Sequence, residues 1–367
     1  MPSLEPLRRI EHVLQSGLLR LLHALLGRRR AAGVPDLRRP ARLLVIRNDG
    51  IGDLIMTTGL LRRLREAHPA ARIDVVASPS NAPVLEGNPH VRRVYTHRRG
   101  NALRVLRLAR TLRAERYDAV LDARVLLDRV PTDPALLMLA SGAPHRIGVG
   151  GRANDFIYTE RVTRISYDVH YVELVARLAA PLGLDPAAGD WRPELSVSPA
   201  ERAAAARLWG EAAGGGRRLL VNISAGQPRR RWPDERFAAA LRHVRERAPD
   251  TRMLVLAPPW ELDSARAIAA AAGATAAAPA LRDAFALVPD ADVVFTPDTS
   301  IAHVASAFVT PCVVMLLAGM GNFVPYRTPG RCVYAQGPTL DALPVEPVTA
   351  ALDEVLARGR AMERECR

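Results

Sequence analysis

The chain has 367 residues, enough for two domains of ordinary size rather than a single core. Hydrophobic residues make up 49% and aromatics 5%, a composition that excludes disorder and points to cores rich in Ala, Leu and Val. The formal net charge is +13 and every basic side chain other than histidine is Arg, so a Walker A loop and a Schiff-base lysine are both excluded.

Residues 4–27 place Leu7, Ile10, Leu14, Leu18, Leu21, Leu22 and Leu25 at three- and four-residue steps, with Arg8, Arg9, His12, Ser16, Arg20 and His23 opposite. That spacing predicts an amphipathic helix, closed by Arg28, Arg29 and Arg30. The pattern fits a helix lying in a membrane interface. It also fits a helix docked on the protein's own core. A Pro-punctuated link, residues 33–40, leads to a predicted strand at 42–47, a loop NDGIG at 48–52 and a helix over 53–67. Strands at 72–77, 91–95 and 119–122 follow, with an Arg-rich helix over 102–116. Its stripe Arg104, Arg107, Arg110 and Arg113 reads as a solvated face or as part of a basic surface.

A second series begins after the Pro/Gly/Asp-rich residues 185–195. Its strands are expected at 218–223, 252–257, 293–296 and 312–317, with helices over 233–247, 261–272 and 300–308. The Ala-rich stretch 265–280 is read as a helix plus a short strand. A last helix, 348–364, is expected to cross back to the first half. The alternation of strands and helices is that of doubly wound parallel sheets. The division expected is 1–40 helix and linker, 41–190 and 191–345 two Rossmann-like domains facing a central cleft, and 346–367 the C-terminal helix. Ligands bind at the carboxyl ends of such sheets.

Other signals are negative. Cys312, Cys332 and Cys366 share no CxxC spacing, so neither a zinc site nor a disulfide framework is expected, only two small core residues and a free thiol near the tail. His12 and Arg20 interrupt the first apolar stretch, so it is not read as a secretory signal. No run approaches the ~18 apolar residues of a spanning helix. A cytoplasmic chain is expected.

Three loops carry the chemistry. In Asp49-Gly50-Ile51-Gly52-Asp53 the glycines admit close backbone approach and Asp53 stands at the start of a helix, as a functional carboxylate or simply as an N-cap. A dinucleotide fingerprint fails there, because Ile55 replaces the third glycine and the second strand runs into Pro79 without an acid. The second loop runs from Ser224 through Gly226, Arg229, Arg230 and Arg231 to Trp232 and Pro233. A small-residue turn followed by guanidinium forks suits a diphosphate. The third is Asp298-Thr299-Ser300 with His303, where Asp298 or Thr299 can cap a helix whose N–H groups can bind phosphate.

In this order the loops resemble the heptosyltransferase family, glycosyltransferase family 9, over most of residues 42–335. The matching segments are LLVIRNDGIGDLIMTTGLLRRLREAHPAARI, ISAGQPRRRWPDERFAAAL and TPDTSIAHVASAFVTPCVVMLLAG. The resemblance implies the GT-B fold and inverting transfer of a sugar, heptose first among candidates, from a nucleotide-diphosphate sugar such as ADP-heptose. The implied acceptor is the lipopolysaccharide core or a related lipid-linked envelope glycan. It makes Asp53 the general base and puts Arg230 where the family usually has a Lys on the donor phosphates. It puts Ser224, Gly226, Arg231, Glu261, Asp298, Thr299, Ser300 and His303 at the donor. Gly52, Arg152 and His170 fall on the acceptor side. Ser300 departs from the usual Gly, which bears on the donor's identity, and Gly59 from the usual Pro.

No cofactor, metal or nucleic-acid partner is expected. The expected location is the inner face of the cytoplasmic membrane, as a peripheral protein. The rival readings are a catalytically silent glycan-binding or assembly protein at the membrane, and a nucleotide-sugar epimerase or dehydrogenase, which tight NAD binding would mark. Dispersed Arg and the lack of stacking aromatics argue against a nucleic-acid binder.

Overall fold

The computed structural model describes residues 5–26, 35, 41–98, 102–125, 128–163, 169–212 and 214–358, without the side chains of residues 5–12 and 102. The basic cluster Arg28, Arg29 and Arg30, most of the 33–40 link, and Cys366 lie outside the described residues. The chain divides into two compact units. The first is Met1–Gly50, Gly59–Ser166 and Tyr171–Trp191; the second is Ile51–Thr58, Tyr167–His170 and Arg192–Arg367. Residues 51–58, read from the sequence as part of the first half, thus group with the second.

In chain order the first half of the sequence forms α1 (Glu5–Leu26), β1 (Arg42–Ile46), α2 (Ile51–Ile55), α3 (Thr58–Ala67), β2 (Arg72–Ala77), β3 (Arg93–Thr96) and α4 (Ala102–Glu115). There follow β4 (Ala119–Asp122), α5 (Thr132–Ser141), β5 (His145–Val149), β6 (Glu160–Val162) and α6 (Tyr171–Ala176). The first unit's sheet is parallel, in the order β3-β2-β1-β4-β5-β6. Leu43, Leu44, Val45 and Ile46 of its central strand are all fully buried, as expected when helices cover both faces of a parallel sheet. The single helix expected over 53–67 is broken. Thr57 Oγ1 donates to Asp53 O (2.8 Å) and Thr58 Oγ1 to Ile55 O (2.7 Å), side-chain bonds that compete with the helical ladder and separate α2 from α3.

Right-handed crossovers put α4 and α5 on one face of this sheet, since both connections move in the same direction across it. α1 docks on α5. Leu19 is fully buried in the cluster formed by Leu112, Leu137 and Met138, and Gln15 Oε1 accepts from Thr132 Oγ1 (3.2 Å). His23 stacks edge-on against Phe156 at 5.5 Å, with the Arg20 guanidinium over the same ring. Side chains assigned from the sequence to the polar face therefore touch protein, while Leu14, Leu18, Leu21 and Leu25 remain exposed.

The second half forms α7 (Pro199–Glu211), β7 (Arg218–Asn222), α8 (Asp234–Arg247), β8 (Arg252–Leu256), α9 (Leu262–Ala271), β9 (Thr275–Ala277) and α10 (Leu281–Leu287). It ends with β10 (Val293–Pro297), α11 (Ser300–Phe308), β11 (Cys312–Leu317), β12 (Gly330–Ala335) and α12 (Val345–Arg358). Its parallel sheet has the order β12-β11-β10-β7-β8-β9. Counted from β7, that is the order of the first sheet. Of the helix expected to cross back to the first half, residues 359–364 lie outside the described residues. Val348, Leu352, Val355 and Leu356 pack into the second unit's core with Phe237 and Leu241 of α8. Cys312 is a buried thiol, pushed up to about 12 by burial. Cys332 is disulfide-bonded, which corrects the expectation of a small core residue. Among the described residues no helix is long and apolar enough to cross a membrane.

Candidate donor site at the switch point of the second sheet

β8 and β10 flank β7 on opposite sides, so the connections from β7 and from β10 diverge and leave a crevice at their carboxyl ends. Both candidate donor loops start there. Asn222, the last residue of β7, joins them. Its Nδ2 donates to Thr296 Oγ1 (2.9 Å) and Thr299 Oγ1 (3.0 Å), while its Oδ1 accepts from Ser224 Oγ (2.8 Å). Thr296 and Thr299 hydroxyls also lie 3.0 Å apart. Thr299 occupies the N-cap position of α11 but its side chain makes no capping bond, because the hydroxyl is held by this network. The first turn of α11 is left without a side-chain acceptor at the positive end of its dipole, an arrangement that favours an anion.

The arginine turn divides its work. Arg230 Nη1 lies 3.0 Å from Asp298 Oδ2, while Arg230 Nε has no hydrogen-bond partner among the described residues. Arg231 is engaged throughout: Nη2 with Asp234 Oδ1 (2.5 Å), Nε with Glu261 Oε2 (3.3 Å) and Nη1 with the carbonyl of Trp232 (2.7 Å). Arg229 Nε donates to Gln227 Oε1 (2.8 Å). Trp232 is fully buried, edge-on to Phe237 at 5.0 Å, and donates Nε1–H to Leu343 O (3.0 Å). This anchors the exit of the turn into α8. Glu261, Arg231, Ala225 and Pro228 line a hollow of ≈ 590 Å³ at the same strand ends. A second hollow of ≈ 420 Å³ opens at the amino edge of the sheet beside Arg217 and Asp353 and contains none of these groups.

α2 packs on α11 within the same unit. A methyl group on Gly52 would come within 2.6 Å of His303 Cδ2, so only glycine lets the two helices approach this closely. At Gly226, by contrast, a methyl group would meet no atom within 4 Å. Asp53 lies inside the first turn of α2 rather than flanking it, so it is not the N-cap residue. The approach of α2 couples the charges. Burial raises the Asp298 carboxyl above its usual range, Arg230 opposes the shift, and the Asp53 carboxylate adds to it. Burial lowers His303 to about 4 against the opposing pull of Asp53, and lowers His170 to about 4 against a bond to Val324 O (2.8 Å). Both imidazoles are neutral at pH 7, and His170 also rests on Tyr326 at 4.7 Å.

Of the residues singled out from sequence, Gly52, Asp53, His170, Ser224, Gly226, Arg230, Arg231, Glu261, Asp298, Thr299, Ser300 and His303 all belong to the second unit. Arg152 does not join them. It is 4% exposed in the first unit. Every nitrogen of its guanidinium is engaged, with Val149 O (2.9 Å), Arg124 O (2.5 Å), Asp122 Oδ2 (3.3 Å) and Tyr158. These bonds give it a structural role within the first unit, apart from the other residues singled out. The sequence reading missed Asn222, although a polar residue closing the buried run Leu219–Val221 was a visible signal. It also missed Asn81. In the first unit the Nδ2 of Asn81 donates to the carbonyls of Arg47 (3.1 Å), Asp49 (3.4 Å) and Gly50 (3.3 Å), holding the loop that leads to Asp53.

Two parallel six-stranded sheets of this strand order, covered by helices, match the GT-B fold of glycosyltransferases. The sequence profile described as glycosyltransferase family 9 (heptosyltransferase) matches residues 105–322, more than half of the chain. The protein belongs to that family and is a glycosyltransferase. It is 25% identical over 313 residues to lipopolysaccharide heptosyltransferase 2 of Salmonella typhimurium, covering 77% of this chain and 85% of that one. The fold is shared with a family 9 glycosyltransferase from Veillonella parvula (TM-score 0.76, 18% identity, 89% of this chain and 99% of that one). It is shared also with E. coli heptosyltransferase WaaC with ADP-2-deoxy-2-fluoro heptose (TM-score 0.67, 19% identity, 85% and 99%).

Proposed function

We propose that the protein transfers heptose, with inversion, from ADP-heptose to the lipopolysaccharide core or a related lipid-linked envelope glycan, at the inner face of the cytoplasmic membrane. The names of its relatives support the sugar and the acceptor: one is a lipopolysaccharide heptosyltransferase, and one solved neighbour holds an ADP-heptose analogue. The observation that carries the reading is the packing of α2 on α11, which brings the Asp53 carboxylate into electrostatic contact with the Asp298 and His303 of the donor loop. A candidate base and a candidate diphosphate site then adjoin.

In this reading residues 41–190 are chiefly the acceptor side and residues 191–345 the donor side. Asp53 takes the proton of the acceptor hydroxyl as that oxygen attacks the anomeric carbon opposite the leaving diphosphate. Negative charge grows on the departing ADP. Arg230 and the uncapped amino end of α11 at Thr299 and Ser300 stabilise it. Arg231 and Glu261 brace the wall of the hollow, and the Ser224–Gly226 turn admits the phosphates. Neutral His303 supports Gly52 and so fixes the position of Asp53 without adding a cation beside it.

A panel of nucleotide sugars tests the reading. ADP-heptose is expected to raise the melting temperature more than UDP- or GDP-sugars, and to release ADP only when acceptor is added. Stabilisation by NAD alone, or donor binding without ADP release on a complete acceptor panel, would overturn it.

A further inference from the structure

We infer that α1 and α4 together form a docking surface for an anionic lipid bilayer. The inference rests on the proposed lipid-linked acceptor for its purpose and on the following geometry for its place. Among the described residues nine large apolar side chains are exposed. Eight of them lie on these two helices, the ninth being Trp260. On α1, Leu14 (68% exposed), Leu18, Leu21 and Leu25 follow one another at four-, three- and four-residue steps, so they form one stripe. That stripe is not the face that docks the helix, since Gln15, Leu19 and His23 do that. On α4, Leu112 is buried in the core that also holds Leu19, and Leu103 (67% exposed) and Leu106 lie on the outward side.

Both helices belong to the first unit, and both pack on α5. Basic side chains accompany the leucines: Arg20 on α1, exposed although its guanidinium lies over Phe156, and Arg104, Arg107 and Arg110 on α4, all exposed. No Asp or Glu occurs in residues 13–26 or 103–114. Leucines exposed among the described residues, accompanied by Arg and with no acid in these two stretches, match the chemistry of a surface that offers hydrocarbon beneath anionic headgroups. An aqueous protein partner of ordinary composition would not select for both features. The shorter apolar row of α4 makes it the weaker contributor.

The test uses the full-length protein and vesicles of phosphatidylglycerol with phosphatidylethanolamine, compared with phosphatidylcholine alone. Co-sedimentation with the anionic vesicles is expected, weakened by salt, with little on phosphatidylcholine. The pair Leu18→Glu with Leu25→Glu is expected to lower the partition coefficient by ~10-fold or more, and Leu103→Glu with Leu106→Glu by several-fold. Both pairs replace exposed side chains, and unchanged melting temperatures would show that the fold survives. Turnover of a soluble acceptor analogue is expected to stay unchanged while turnover of a vesicle-embedded acceptor falls. Absence of vesicle binding by the full-length protein would overturn the inference. So would a dimer that the α1 pair converts to monomer without any effect on lipid binding, which would make this face an interface between copies. Undiminished binding by the α4 variant would remove α4 from the surface. Vesicle binding by a protein that transfers sugar to no acceptor would leave the surface standing and defeat the proposed function instead.

Discussion

The two sheets have the same strand order, and each pairs a buried aspartate with arginine at its switch point, yet the arginines are placed differently. In the first sheet the carboxylate of Asp122 is wholly buried and held by Arg124 (2.9 Å), Arg152 (3.3 Å) and the Tyr158 hydroxyl (2.6 Å), with Arg47 near Asp49 at 3.0 Å. These cations are tied to internal acids and carbonyls. In the second sheet Arg230 is 22% exposed, its Nε has no hydrogen-bond partner among the described residues, and it stands near a helix end whose N-cap side chain makes no capping bond. The same residue types therefore do different work according to what surrounds them. Arg152 has every guanidinium nitrogen engaged inside the protein, whereas Arg230 is partly exposed beside a helix terminus whose N-cap side chain makes no capping bond, the setting that favours an anion.

Substitutions can break this contrast. The largest effect is expected from Arg152→Ala, which removes a partner from buried Asp122 and should cost ~3–5 kcal/mol of stability. Denaturant unfolding measures it, and donor affinity in the folded protein should not change. A stable Arg152→Ala protein with a raised KM for acceptor would instead return Arg152 to the acceptor site. Asp53→Asn should fold normally, bind donor as before and turn over ~100-fold more slowly or worse. Near-normal turnover with the natural acceptor would remove Asp53 from the chemistry. Arg230→Ala should weaken donor binding by ~10- to 100-fold, the worth of one or two charged hydrogen bonds, and Arg231→Ala by less. Calorimetry showing equal ADP affinity for wild type and Arg230→Ala would rule out the phosphate role.

The smallest effect separates the sheets by pH. His303 and His170 have folded values of about 4, below the ~6.5 of an unfolded histidine, so the unfolded chain binds more protons between those limits. Their contribution is present above about pH 6.5 and is lost as the pH falls toward 4. Asp298, whose carboxyl is raised, acts with the opposite sign and nearer the carboxylate range. A melting temperature several degrees lower at pH 5 than at pH 7 is expected, and His303→Gln should reduce that difference. An unchanged difference in that variant would show that His303 is not the group responsible.

The strongly periodic elements are legible in the sequence itself. Strands 72–77, 119–122 and 312–317 and the helix over 300–308 coincide with β2, β4, β11 and α11, because buried parallel strands read as apolar runs and their loops carry Gly, Pro and Asp. α7 was missed although Ser198 and Glu201 form a capping box at its start, a signal present in the sequence. β5 and β6 were missed for a physical reason. The run HRIGV carries a buried Arg146, whose Nε donates to Ile157 O (2.7 Å), and such a strand is not apolar in sequence.

What the sequence alone determined was the pair of doubly wound α/β halves, the three loops and the residue types able to meet a diphosphate. These follow from local periodicity and from turn chemistry. The tertiary structure decided three matters. It put α2 against α11, grouping Asp53 with the second unit because Gly52 lets His303 come close. It bound Arg152 into the core and left Arg230 Nε without a hydrogen-bond partner among the described residues. It also docked α1 through Gln15, Leu19, Leu22 and His23, leaving Leu14, Leu18, Leu21 and Leu25 exposed. Each of these depends on which neighbours, distant in sequence, satisfy or fail to satisfy a side chain, and no local pattern records that.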